Sequence, residues 1–150
     1  MKKFSGLDEF VAAQGSQLGP TDWLEVTQER VNLFADATDD HQWIHVDPER
    51  AASGPFGATI AHGLLTLSLL PHFTSQMYTV DNIAMAINYG YNKVRFLTPV
   101  RVGSKIRARA EIAKVDQLDG AVQATVTVTV EIDGSAKPAA VAESIVRFIG

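Results

Sequence analysis

A chain of 150 residues and 16.2 kDa has room for one ordinary domain, residues 1–150. Its 46% hydrophobic and 20% charged residues form a globular mix that excludes disorder, collagen-like repeats and coiled coil. Thirteen basic against seventeen acidic side chains give a formal charge of −4, which argues against a broad phosphate-binding surface, and zero cysteines exclude disulfides, thiolate metal sites and a cysteine nucleophile.

The start, Met1-Lys2-Lys3-Phe4, is charged but has no apolar stretch behind it, because Asp8 and Glu9 follow, so no leader peptide is expected. No run approaches the roughly 18 apolar residues of a membrane span. The expectation is a soluble, cytoplasmic protein with neither membrane nor nucleic acid as partner.

The N-terminal third reads as helix and turn. Leu7, Phe10 and Val11 recur at helical spacing, and Gly15, Gly19 and Pro20 then break the segment. Trp23, Leu24 and Val26 suggest a short strand. Thr27 is an N-cap for a helix with Val31, Phe34 and Ala35 on its apolar face, and that helix ends near Asp39-Asp40. Asp47 followed by Pro48 starts another, short helix before the loop Ser53-Gly54-Pro55-Phe56-Gly57. From Gly63 to Tyr78 the chain is apolar nearly all round and carries no acidic residue, which predicts a helix buried on most sides and kinked or divided by Pro71.

Beyond Asp81 the period changes to two. Lys105, Arg107 and Arg109 alternate with Ile106, Ala108 and Ala110, and Val122 to Ile132 alternates apolar residues with Gln, Thr and Glu. Ala140 to Phe148 repeats the pattern, and Asp119-Gly120 and Asp133-Gly134 are turn signals. Ile83 to Val94 adds a further strand. A long buried helix followed by about four antiparallel strands predicts an α+β architecture with the sheet wrapped around the helix. One sheet leaves such a helix short of cover, so a second copy of the chain is expected to complete it.

Three features hold candidate chemistry. In Asp39-Asp40-His41-Gln42-Trp43-Ile44-His45-Val46-Asp47, the apolar residues draw Asp40 and His45 toward burial, where such a pair can hold a water and exchange its protons near neutral pH. The competing reading is that Asp40 caps a helix end and His45 is a satisfied ring. At Ala61-His62-Gly63, the first amides of the buried helix lack intrahelical partners, and glycine admits a ligand carbonyl close to the backbone. The competing reading there is tight packing alone. Lys93, Arg95, Arg101, Lys105, Arg107 and Arg109 form a belt without acidic residues, suited to the phosphates of a nucleotide-like carrier or, for Lys105, Arg107 and Arg109, simply a solvated strand face; Arg95 between Val94 and Phe96 also reads as structural. His41 and His45 have helical metal-ligand spacing but no evident third ligand, so no metal is expected.

Asp40-His41-Gln42-Trp43-Ile44-His45, Ala61-His62-Gly63-Leu64, and Val94-Arg95-Phe96-Leu97-Thr98-Pro99-Val100 with Gly103 together resemble the MaoC-like, (R)-specific enoyl-CoA hydratases, from about Thr27 to the C-terminus. The resemblance implies a hot-dog fold, a homodimer, and reversible hydration of trans-2-enoyl-CoA to (R)-3-hydroxyacyl-CoA, with CoA belonging to the substrate and no separate cofactor. It places the catalytic pair on Asp40 and His45 and the thioester-binding amide on Gly63, with Gln42, Trp43 and Arg95 as further substrate-binding candidates. The family segment reads small residue, Gly, Asp, any, Asn, Pro, aliphatic, His. Here Asp39 stands at the glycine position and Gln42-Trp43 replace Asn-Pro, which keeps the amide one methylene further out and adds bulk beside the acyl pocket. The competing functions are an acyl-CoA thioesterase and a non-catalytic acyl-thioester-binding module; the lack of an acidic residue on the central helix favours hydration.

Overall fold

Period-two alternation carries the C-terminal half into three long strands, β6 (Lys105–Leu118), β7 (Ala121–Ile132) and β8 (Ala140–Ile149), paired antiparallel in sequence order. The structure, a computed structural model, describes all 150 residues. Asp119 and Gly120 close the first hairpin as a two-residue turn between the paired Leu118 and Ala121, with Gly120 at φ 68, where a side chain would be strained. Ile106, Ala108, Ala110 and Ile112 on β6 and the alternate valines of β7 face inward and are buried, each large aliphatic contributing about 1.5–3 kcal/mol over exposure.

A fourth long strand, β5 (Met85–Phe96), pairs with β8 rather than with β6. Short β2 (Gln17–Leu18) and β3 (Leu24–Glu25) pair with β6, so the six-stranded sheet runs β2-β6-β7-β8-β5 with β3 also on β6. β5 lies two residues further along than its predicted span of 83–94, and its second edge has no strand beside it.

The helix on the inner face is divided as Pro71 foretells. α5 (Gly63–Ser68) passes through Leu69 into α6 (Leu70–Met77), with Pro71 in the first turn of α6, where its missing N–H costs no hydrogen bond. Phe73 and Met77 pack into the sheet, but Leu64 is 59% exposed and Pro71 and His72 face solvent, so the chain alone covers one side of this helix rather than all of it. No helix is long and apolar enough to cross a membrane.

The N-terminal third holds short strands with too few residues to show a period. β1 (Lys2–Phe4) pairs parallel with β4 (Tyr78–Val80), a partner 76 residues away, and α1 (Leu7–Ala12) folds beside it. Phe10 of α1 meets Phe148 at 4.8 Å between ring centres and Phe4 at 5.2 Å, which ties this segment to the sheet. The capped helices form as expected: α2 (Gln28–Thr38) starts where Thr27 Oγ1 accepts from the Arg30 N–H, and α4 (Pro48–Ala52) where Asp47 accepts from the Arg50 N–H. Between them lies a single turn, α3 (Trp43–Val46).

Candidate active site

The site begins at the end of α2. Asp39 leaves the helix in the left-handed region, φ 57 and ψ 24, a conformation that aspartate tolerates better than most residues and glycine best of all. That turn sends Asp40 outward: its side chain is 51% exposed, in contrast to the apolar surroundings expected for it. α3 then carries His45 inward to 7% exposure. The segment 59–61 fixes that ring. Ile60 N–H donates to the Ile44 carbonyl at 2.9 Å and Ala61 N–H to the Val100 carbonyl at 2.7 Å, which aims the Ile60 carbonyl at His45. His45 Nδ1–H donates to it at 2.7 Å, leaving Nε2 free to accept a proton. Gln28 of α2 completes the support: its amide donates to the His45 carbonyl at 2.7 Å and accepts from the Thr59 hydroxyl at 2.6 Å.

His62 was quoted in the sequence motif without a role, and the structure gives it one of the most constrained positions in the chain. It is 3% exposed, at the head of α5. Its Nε2–H donates to the Asp40 backbone carbonyl at 2.9 Å, and its ring lies face to face with His45, 3.8 Å between centres and 23° between planes. Asp40, His45 and His62 thus place one titratable atom each within 4.8 Å of one another. Burial holds His45 below the ordinary imidazole range; the Ile60 carbonyl opposes this, His62 reinforces it, and Asp40 opposes it again. The raising effect of the neighbouring Asp40 carboxylate is present but does not win.

The three residues do not make a good metal cradle. Imidazole lone pairs lie in the ring plane, and planes 23° apart at 3.8 Å do not meet within a metal–nitrogen bond of about 2.0–2.1 Å. His41, the other half of the expected i, i+4 pair, turns away to Asp36 at 2.8 Å.

Gly63 opens α5 beside this cluster, at the edge of an apolar hollow of about 360 Å³ lined by Ile60, Ala61, Thr66, Phe96, Leu97 and Pro99 among others. The Phe96 ring lies directly over it: a Cβ on Gly63 would meet that ring at 3.0 Å. Close packing is therefore a reason for this glycine. Phe96 belongs to the segment that carries the family resemblance, but no site role attaches to it in the sequence.

The other candidates stand apart from the cluster. The Gln42 side chain is exposed, and Trp43 turns back against α4, with the Arg50 guanidinium 4.3 Å over its ring and Gly54 at its edge. Arg95 is exposed and borders a separate hollow with Lys93, Leu97, Thr127, Val141 and Glu143. The belt is partly neutralised, since Glu131 binds Arg107 at 2.7 Å and Arg109 at 2.9 Å.

The Asp39 turn makes a direct prediction. Asp39→Gly is expected to keep the fold and to gain up to about 1 kcal/mol, whereas Asp39→Val is expected to lose about 1–2 kcal/mol. Urea denaturation of the two variants checks the sign of each.

Comparison with known proteins gives the chain its relatives. A family model described as the MaoC like domain matches residues 9–134, a span that contains Asp40, His45, His62 and Gly63. The chain is 61% identical over 150 residues to 3-hydroxyacyl-thioester dehydratase Z of Mycobacterium tuberculosis, covering 99% of both. Among solved structures it is similar to a monoamine oxidase regulatory protein from Archaeoglobus fulgidus, with TM-score 0.81 and 25% identity over 99% of this chain and 96% of that one. It also resembles an (R)-hydratase from A. caviae involved in PHA biosynthesis, with TM-score 0.72 and 24% identity over 89% and 94%.

Proposed function

The chain belongs to the MaoC-like dehydratase family, and from that premise we propose that it is an (R)-specific enoyl-CoA hydratase, adding water reversibly to trans-2-enoyl-CoA to give (R)-3-hydroxyacyl-CoA. The observation that carries this reading is the convergence of Asp40 and His45 on His62, the residue directly before Gly63, which itself lines an apolar hollow. The thioester carbonyl sits on the Gly63 N–H, and C2 and C3 lie next to a water held by the Asp40 carboxylate and His45 Nε2. The water oxygen bonds to C3, its proton passes to the pair, and the pair returns a proton to C2 from the same face. Negative charge that develops on the thioester oxygen meets the first-turn amide. His45 suits this task because burial keeps the ring neutral near pH 7, ready to accept a proton. The test is loss of the enoyl-thioester absorbance of crotonyl-CoA with the purified protein, followed by chiral analysis of the product. No loss with crotonyl-CoA or longer enoyl-CoAs would overturn the reading, and free CoA released from saturated acyl-CoA would replace it with a thioesterase.

The same reading includes a cytoplasmic homodimer. β5 leaves one edge unpaired over twelve residues and exposes Met85, Ile87, Tyr89, Tyr91 and Phe96, while Leu64 stands open on the helix. An exposed edge of that length and hydrophobicity calls for a partner strand. Light scattering on the eluted protein is expected to give twice the 16.2 kDa of one chain; the mass of a single chain would reject the dimer.

A further inference from the structure

His62 joins the two halves of the site, and the join has a chemical cost. The reacting groups come from different local structures: Asp40 follows a left-handed turn and His45 sits in a one-turn helix. Ile60 fixes His45, but little fixes Asp40. Its Oδ1 is 3.5 Å from the Gln42 N–H and its Oδ2 is 3.9 Å from His62 Nε2, both long, and the side chain is half exposed. The one short contact to this residue from outside its own turn is the His62 Nε2–H on its backbone carbonyl. The same ring stacks on His45 and is backed by Phe34, 4.9 Å away between centres.

The remaining nitrogen of His62, Nδ1, is buried and meets no polar group of the chain. A buried nitrogen without a partner destabilises the fold. Phenylalanine would fill a similar space without that cost, so packing alone does not account for an imidazole here. What phenylalanine lacks is the Nε2–H.

We propose that His62 is a positioning residue for the hydration: it holds the Asp40 backbone through Nε2–H and the plane of His45 through its ring face, so that carboxylate and imidazole keep one mutual geometry. This rests on the hydratase reading above. His62 touches neither the water nor the acyl chain in that scheme and acts through its two neighbours. Misplacement of reacting groups by about 1 Å is worth on the order of 10²-fold in rate.

The test uses the full chain with two substitutions, followed by crotonyl-CoA turnover and melting. His62→Phe keeps the stack and removes the donor; it is expected to melt at or above the wild-type temperature and to lose about 10–100-fold in kcat with KM little changed. His62→Gln, whose amide nitrogen can approach the place of Nε2, is expected to recover a substantial part of that loss. A residue that merely filled space would lose no kcat in His62→Phe and leave nothing for His62→Gln to recover. Wild-type kcat in His62→Phe would overturn the proposal. If that variant does not fold, His62→Leu, which removes the same donor, decides in its place: wild-type kcat there overturns the proposal. Wild-type protein that turns over no enoyl-CoA would defeat the hydratase reading instead, which separates the two failures.

Discussion

Asp40→Asn is expected to lower crotonyl-CoA turnover by about 10²–10⁴-fold, the range for loss of a general acid–base group, with almost no change in melting temperature. The two halves of that expectation have different sources. The carboxylate is isosteric with the amide, half exposed, and makes no short hydrogen bond to the rest of the chain, so the fold loses little. Chemistry loses much, because an amide cannot accept and return a proton. His45→Ala should lose as much activity but is the less clean variant. Its ring is buried, stacked on His62 and bonded to the Ile60 carbonyl, so its removal also opens a cavity and frees a buried acceptor. Parallel rate and melting measurements on both variants check this. Near-wild-type turnover in both would remove Asp40 and His45 from the mechanism.

The largest effect on stability is expected from Phe10→Ala, at about 3–5 kcal/mol. Phe10 is fully buried and is the centre of an aromatic cluster: Phe148 at 4.8 Å, Phe4 at 5.2 Å and Tyr78 at 5.7 Å between ring centres. These rings come from α1, β1, the start of β4 and the end of β8, so one side chain links the N-terminus to the last strand. Against a total of about 5–15 kcal/mol for a domain of this size, the loss removes a large part of the margin. The cluster lies away from Asp40 and His45, and kcat per folded molecule should stay near wild type. Urea unfolding gives the answer. A loss below about 1 kcal/mol would mean that the N-terminal segment folds outside the cooperative unit.

Local rules made much of this legible in advance. Thr27 and Asp47 cap the helices they were expected to cap, Pro71 sits at the division of the central helix, and the alternation names the buried face residue by residue in β7 and up to Ile112 in β6, while in β8 Ser144 and Val146 are only partly buried. Each of these signals lies within a few positions of its effect. What stayed hidden depends on long-range pairing. Periodicity announces the strand β5 but not that it joins β8, and three residues such as Lys2–Phe4 are too few to show a period at all. The site divides in the same way. Asp40, His45 and Gly63 were named through a family resemblance, since residue type and spacing alone left capping and packing as competing readings; the structure brings Asp40 and His45 together with His62. The part played by His62 was not legible, because its partners are 22 and 17 residues away and the contact is a ring face and a backbone carbonyl. Asp40 was expected in dry surroundings on account of Trp43 and Ile44, but the left-handed exit at Asp39 turns it outward while its neighbours fold in.

The two indoles of the chain stand in very different places. Trp23 lies under Arg107 on the outer sheet, whereas Trp43 lies under Arg50 in α3, two positions before His45. With Trp23 exchanged for phenylalanine, all tryptophan emission would come from the turn that carries His45. The molecule thus holds a built-in fluorophore between Arg50 and Gly54, and the packing of α3 on α4 can be followed by light alone, without a label.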